Sequence, residues 1–161
     1  MTAGNRVELQ PITFETVRTV IGLRVSEQQS RFVAPNATSI AEGLLNSGAW
    51  LRAICADDAP VGFAMLLDPK IPGANLSRGP VAQDSVMLWR FMIAAEHQGR
   101  GFGWQALDHL RAQARSVGAA VLLTSYVPGE HGPEGFYRRA GFSKTGNLRA
   151  NGREVELRLV L

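Results

Sequence analysis

Leu88-Trp89-Arg90-Phe91-Met92-Ile93 leads into Glu96-His97-Gln98-Gly99-Arg100-Gly101-Phe102-Gly103, and Trp104 opens a run to Val117. The first piece belongs to a stretch, Val86–Ile93, that is almost wholly apolar, as expected of a central strand covered on both faces. In the last piece Leu107, Leu110, Ala114 and Val117 recur at three and four residues, and Gly118 follows, which predicts a helix and its stop. Between them, glycines at 99, 101 and 103 let the backbone adopt conformations a side chain forbids and approach a ligand closely. A helix N-terminus also offers unpaired N–H groups and the positive end of the macrodipole, so the turn suits a phosphate, and Arg100 adds a charge there. Two phosphate motifs are excluded. Gly103-Trp104-Gln105 lacks the Gly-Lys-Ser/Thr ending of a P-loop. A dinucleotide fingerprint needs its third glycine three positions after the second and the first strand of a parallel unit, whereas these glycines alternate past the middle of the chain.

Working outward, Ala120–Tyr126 reads as a second buried strand, Pro128–Pro133 as a loop, and Glu134–Ala140 as a short helix stopped by Gly141. Strands around Phe142–Leu148 and Glu154–Leu161 close the chain, joined at Asn151-Gly152, a strong hairpin signal. Upstream, Trp50–Ala56 and Val61–Leu67 are β-rich runs joined by Asp57-Asp58-Ala59-Pro60, and Asp68–Gly79 is an exposed loop. A first strand falls at Val7–Leu9. Phe14, Val17, Val20 and Ile21 follow helical spacing behind Thr13 as N-cap, and a further helical stretch runs from Ser26 toward Phe32, ending before Pro35. Ser39-Ile40-Ala41-Glu42 has the form of a capping box, with Gly48 as the C-terminal stop. The whole, residues 1–161, reads as one α/β domain with a mixed sheet.

The composition agrees: 45% of the 161 residues are hydrophobic and 19% charged, which suits a globular chain and excludes disorder. No apolar run is long enough to span a membrane, and Met1–Arg6 leads into no signal-peptide core, so neither a membrane nor secretion is expected. The net charge is +3, but its basic residues are scattered, densest at Arg138-Arg139 and Lys144, with no basic stripe interleaved with aromatics. Nucleic acid is not an expected partner. Cys55 is the only cysteine and reads as a small core residue in a reducing, cytoplasmic setting. His97 and His131 lie in loops without metal-ligand spacing, so no metal is expected.

The pattern Gln98-x-x-Gly101-x-Gly103 matches the Q/R-x-x-G-x-G/A signature of the GNAT-type N-acetyltransferases. Gly135-Phe136-Tyr137-Arg138-Arg139-Ala140-Gly141-Phe142, one helix and one strand later, resembles the F-Y-x-x-x-G-F element of the same superfamily. Phe32–Ala37, Ser39–Glu42, Val61-Gly62-Phe63, Leu88–Ile93 and Gly141–Gly146 resemble bacterial spermine/spermidine N-acetyltransferases and their diamine relatives. One departure stands out: where many members carry Asn and Ala, seven and four positions before the tyrosine, this chain has Glu130 and Pro133.

The resemblance implies a mostly antiparallel sheet with helices on both faces and a splayed cleft for acetyl-CoA. Backbone groups of Phe91, Met92 and Ile93 would pair with the pantetheine arm, and amides of Gln98, Gly99, Arg100, Gly101, Phe102 and Gly103 would hold the pyrophosphate. The amine would attack the thioester directly, in a ternary complex. Tyr137, protonated at neutral pH, is the expected acid for the departing thiolate and lies against the cofactor. Glu27, in the helical region on the acceptor side of relatives, is the expected base, with Glu130 a second candidate. A polyamine acceptor would need an acidic groove, for which Glu27, Asp84, Glu96, Glu130 and Glu134 are available. The alternatives are a protein N-terminal or lysine acetyltransferase, an aminoglycoside-type enzyme, and a silent acyl-CoA sensor, the last expected to lack Tyr137. A homodimer through a sheet edge is common in relatives.

Overall fold

The computed structural model describes residues 5–161; Met1–Gly4, where the secretion reading begins, lie outside the described residues. Seven strands form one sheet in the order β1-β2-β3-β4-β5-β7-β6. They are β1 (Val7–Gln10), β2 (Ala49–Ala56), β3 (Ala59–Leu67), β4 (Ser85–Ile93), β5 (Val121–Tyr126), β6 (Ser143–Arg149) and β7 (Glu154–Val160). Every pairing is antiparallel except β4 with β5. The helices are α1 (Val17–Gly22), α2 (Asn36–Leu44), α3 (Phe102–Ser116) and α4 (Glu134–Arg139), with a 3-10 turn at Glu27–Phe32.

Alternation of side chains along the strands divides the core into two faces. On one, Ile54, Ala64, Leu66, Val86 and Leu88 pack with Phe102, Ala106, Leu107, Leu110 and Ala114 of α3 and with Tyr137 of α4. On the other, Ala53, Cys55, Phe63, Met65 and Met92 pack with Val20 of α1 and Ile40 of α2. The α3 contacts recur at three and four residues because one stripe of the helix meets the sheet. Its end is a Schellman turn: Gly118 (φ +83°) donates to Arg115, and Ala119 donates to Ala114. Gly141 (φ +95°) and Phe142 close α4 in the same way.

The N-terminal third corrects several local expectations. Phe14 is 88% exposed and precedes the helix, while Thr13 closes the preceding turn by accepting from the Thr16 amide. The stretch from Ser26 toward Phe32 is not an α-helix: Glu27–Phe32 forms a 3-10 turn behind an extended Ser26. Ser39-Ile40-Ala41-Glu42 is no capping box: α2 begins three residues earlier, at Asn36, so Ser39 and Glu42 sit inside it. The Asn36 side chain is buried and donates to the Val20 carbonyl, tying α2 to α1. Gly48 does not end α2, which stops at Leu44; a Cβ there would press within 2.8 Å of the Asp68 carbonyl. A local sequence pattern cannot see that close approach.

Candidate active site

The parallel pair positions the site. β4 and β5 pair only at Ser85–Met87 with Val121–Leu123. Past that point one link remains, from the Thr124 hydroxyl to the Leu88 carbonyl at 3.1 Å. The strands then part, and the gap opens into a cleft of about 1240 Å³ that passes from one sheet face to the other. Unpaired strand edges need partners. The free edge of β4 beyond Leu88 is therefore a template for an extended, amide-bearing ligand.

On the α3 face the cleft ends at the glycine loop. Gly99 and Gly101 hold φ of +77° and +80°, where a side chain is strained by about 1–2 kcal/mol. Gly101 is the N-cap of α3, and the first bond of the helix runs from the Gln105 amide to its carbonyl. Among the described residues no acceptor is found for the amides of Gly99 through Trp104. Such a row of unpartnered donors at a helix N-terminus is a ready anion site. Gln98 serves another purpose. Its amide donates to Ala95, and its side-chain Nε2 donates to the Ile93 carbonyl at 2.9 Å. It also exchanges hydrogen bonds with Gln29, linking the loop to the 3-10 turn.

Aromatic rings wall this half. Phe136 of α4 touches Phe91 at 5.9 Å and Trp104 at 5.0 Å between centroids, and a Cβ on Gly103 would stand 3.4 Å from its ring. Tyr137 follows, wedged between Phe136 and Phe142 and 6% exposed. Burial pushes its phenol up to about 12, with Thr124 as polar neighbour. The group is therefore neutral at any physiological pH: a hydrogen-bond donor first, and a proton donor only to a basic partner.

On the α2 face the cleft is charged. The β3–β4 register slips by one residue at Trp89, a bulge that turns Trp89 and Arg90 toward the same side. Trp89 joins the α1–α2 cluster, and Arg90 Nε donates to the Ser39 hydroxyl at 3.1 Å. Arg90 is 16% exposed, and desolvation lowers its pKa against the pull of Glu42. Glu42 accepts from Arg90 at 3.2 Å and from Arg78, in the β3–β4 loop, at 2.8 Å. Opposite stands Glu154, whose Oε2 accepts from the Ser125 hydroxyl at 2.6 Å and which has no ion-pair partner among the described residues. The loop wall is pinned by Arg149, which donates to the Gly79 and Pro80 carbonyls and to Glu156 at 2.8 Å.

Of the residues expected at the cofactor, Phe91, Met92, Ile93, Gln98, Gly99, Gly101, Phe102, Gly103 and Tyr137 line this one cleft. Arg100 does not; its side chain is exposed outside the lining, although its amide belongs to the free row. Glu27 is also absent from the lining, exposed at the start of the 3-10 turn. The acidic groove fails to form for the same reason. Glu130 is 86% exposed, Glu96 64%, Glu134 pairs with Lys144, and Asp84 receives the Ser85 hydroxyl at the far end of β4. The carboxylates in the lining are Glu42 and Glu154. Glu154 escaped the sequence reading because only the β5–β7 register brings it beside Ser125.

The site thus combines a splayed strand edge, a row of unpartnered loop amides and a buried phenol in one cleft. Residues 22–142 match the family model described as Acetyltransferase (GNAT) family, and the chain belongs to that family. It is an acetyl-CoA-dependent N-acetyltransferase. No curated protein matches it in sequence. Solved structures share its fold at low identity. An acetyltransferase from Thermus thermophilus aligns with a TM-score of 0.68 at 16% identity, covering 98% of this chain and 99% of that one. A Bacillus subtilis acetyltransferase in complex with CoA gives 0.66 at 18%, covering 98% and 99%. The ribosomal-protein-S18-alanine N-acetyltransferase from Escherichia coli gives 0.66 at 15%, covering 96% and 94%.

Proposed function

We propose that the chain acetylates a small primary amine by direct attack in a ternary complex, with Tyr137 as proton donor and Glu154 as proton acceptor. The observation that carries this reading is the single cleft that joins the free amides of residues 99–104, the buried Tyr137 and the Ser125–Glu154 pair. The Bacillus subtilis neighbour was solved with CoA, and the unpaired β4 edge and loop amides here offer what a pantetheine arm and a pyrophosphate need. Acetyl-CoA, when bound, supplies a thioester activated toward an amine. The residues of this chain do the rest. β4 and the loop fix position, which converts a bimolecular encounter into a local one. Glu154 takes one proton from the ammonium, freeing the nitrogen lone pair. As the new N–C bond forms and the C–S bond breaks, the Tyr137 phenol meets the developing thiolate. The phenol gives that thiolate its proton and regains one from the new amide nitrogen, so amine plus thioester becomes amide plus thiol.

For the acceptor, the residues favour one amine over a chain of them. Glu42 already holds two guanidinium groups, leaving Glu154 as the carboxylate free to face a cation. Spermidine and spermine, which the resemblance implies, would have to thread past Arg78 and Arg90. We assign the protein to the cytoplasm, whose reducing conditions suit the buried, unpaired thiol of Cys55. A second copy would add at the β6 edge, where Leu148 is 63% exposed.

The test is CoA release from acetyl-CoA against spermidine, an aminoglycoside, free amino acids and a short peptide. Turnover with one of them, lost in both Tyr137→Phe and Glu154→Gln while acetyl-CoA still binds, is the expected result. Full activity in Glu154→Gln would remove that residue from the mechanism.

A further inference from the structure

The α2-face half of the cleft carries a charge pattern that direct transfer does not require. Two guanidinium groups, Arg78 and Arg90, converge on one carboxylate, Glu42, and each Glu42 oxygen takes a single N–H. The cluster therefore keeps one positive charge and unused donors. Arg78 spends one of its five N–H groups in this pair, is 62% exposed and lines the cleft. Arg90 is held in place rather than free to leave: Ser39, the Trp89 carbonyl and Glu42 take its Nε, Nη1 and Nη2. Across the gap stands Glu154, close enough for its charge to act on Arg90. A carboxylate on one wall thus faces a net cation on the other, and the wall between is pinned by the buried Arg149–Glu156 pair, each side chain 7% exposed.

From this arrangement, and resting on the acetyl-transfer reading above, we infer that the acceptor is a zwitterion: its ammonium docks at Glu154 and an oxyanion on the same molecule docks at Arg78 and Arg90. A planar, forked guanidinium recognises a carboxylate or a phosphonate by paired N–H donors, so both belong to the class. A polycation is disfavoured because its second charge would meet the arginines with no free carboxylate to receive it. The recognition is distinct from a structural tie between the loop and α2, for which Arg78 and Glu42 alone would be enough.

The experiment compares matched acceptors: L-amino acids, their α-carboxamides, the corresponding aminoalkylphosphonates, and spermidine, each with saturating acetyl-CoA. The expected result is kcat/KM at least tenfold higher for an acid-bearing amine than for its neutral partner, a charge-assisted hydrogen bond being equivalent to tenfold or more. The carboxylate and phosphonate arms tell which oxyanion is preferred. In Arg78→Gln that selectivity is expected to fall about tenfold, through KM rather than kcat, and Arg78→Lys is expected to restore part of it. A purely structural Arg78 would change stability and leave the selectivity ratio untouched, which would overturn the inference. Equal turnover of acid and amide, preference for spermidine, or binding of acetyl-CoA with no turnover of any acid-bearing amine would also overturn it. Failure to bind acetyl-CoA at all would instead strike the acetyl-transfer reading itself.

Discussion

Tyr137 shows how placement sets chemistry at the scale of one residue. Its phenol is buried beside Phe136 and Phe142, and loss of water disfavours the phenolate. With a folded value of about 12 against an ordinary 10, the native state binds the proton more tightly than the unfolded chain. Stability from this group is therefore complete below pH 10 and is lost as pH rises through 12. Two outcomes follow. Tyr137→Phe should lower kcat by roughly 10²–10⁴, the usual span of general acid–base catalysis, and leave the melting temperature nearly unchanged; steady-state kinetics with calorimetry checks this. In the wild type, any basic limb of the kcat profile below pH 10 should persist in that variant, because Tyr137 does not titrate there. The motif made this tyrosine visible in the sequence. Nothing local marks a strand-end glutamate such as Glu154, and helical company says nothing of which way a side chain faces, as with Glu27, which is exposed outside the cleft.

At the scale of elements, the strand–loop–helix unit was legible because each part has a short-range cause: an apolar run, positive-φ glycines, and a three-and-four stripe. Its register was not. The slip at Trp89 depends on β3, and the parting of β4 from β5 depends on where hydrogen bonding stops. The capping-box error has the same origin: Ser39 satisfies Arg90, a partner 51 residues away, so a local pattern was filled by a distant need. Gly101→Ala should raise the KM for acetyl-CoA several-fold while leaving the melting temperature within a few degrees, since strain of about 1–2 kcal/mol falls on the loop and not on the core. Gly103→Leu should weaken acetyl-CoA binding more, as its side chain would crowd Phe136 where the Cβ alone already makes contact. Isothermal titration compares the two.

At the scale of the whole molecule, the cleft keeps its shape because its two arms are tied at both ends. Arg31 of the 3-10 turn donates to the Glu130 carbonyl between β5 and α4, and Arg149 fastens the β3–β4 loop to β6 and β7. Burial pushes the Glu156 carboxyl up, but bonds from Arg149, Asn147 and Thr145 outweigh it and hold it below its ordinary value. A depressed carboxylate contributes stability above its unfolded pKa and loses it as pH falls, so acid should loosen this clamp. Arg149→Met, which strands the buried Glu156 charge, should cost about 3–5 kcal/mol, and the double variant Arg149→Met/Glu156→Leu should recover much of it. Chemical denaturation at neutral pH measures both. Such long-range ties leave no trace in composition or periodicity.

If one cleft both holds acetyl-CoA and completes the transfer through Tyr137 and Glu154, cofactor binding and turnover should separate cleanly in a single variant. The most direct test titrates acetyl-CoA into the wild type and Glu154→Gln, then follows CoA release with the preferred amine. Equal acetyl-CoA affinity with turnover lowered at least about a hundredfold at neutral pH in the variant is the predicted result. Undiminished turnover in Glu154→Gln, or no acetyl-CoA binding by the wild type, would contradict it.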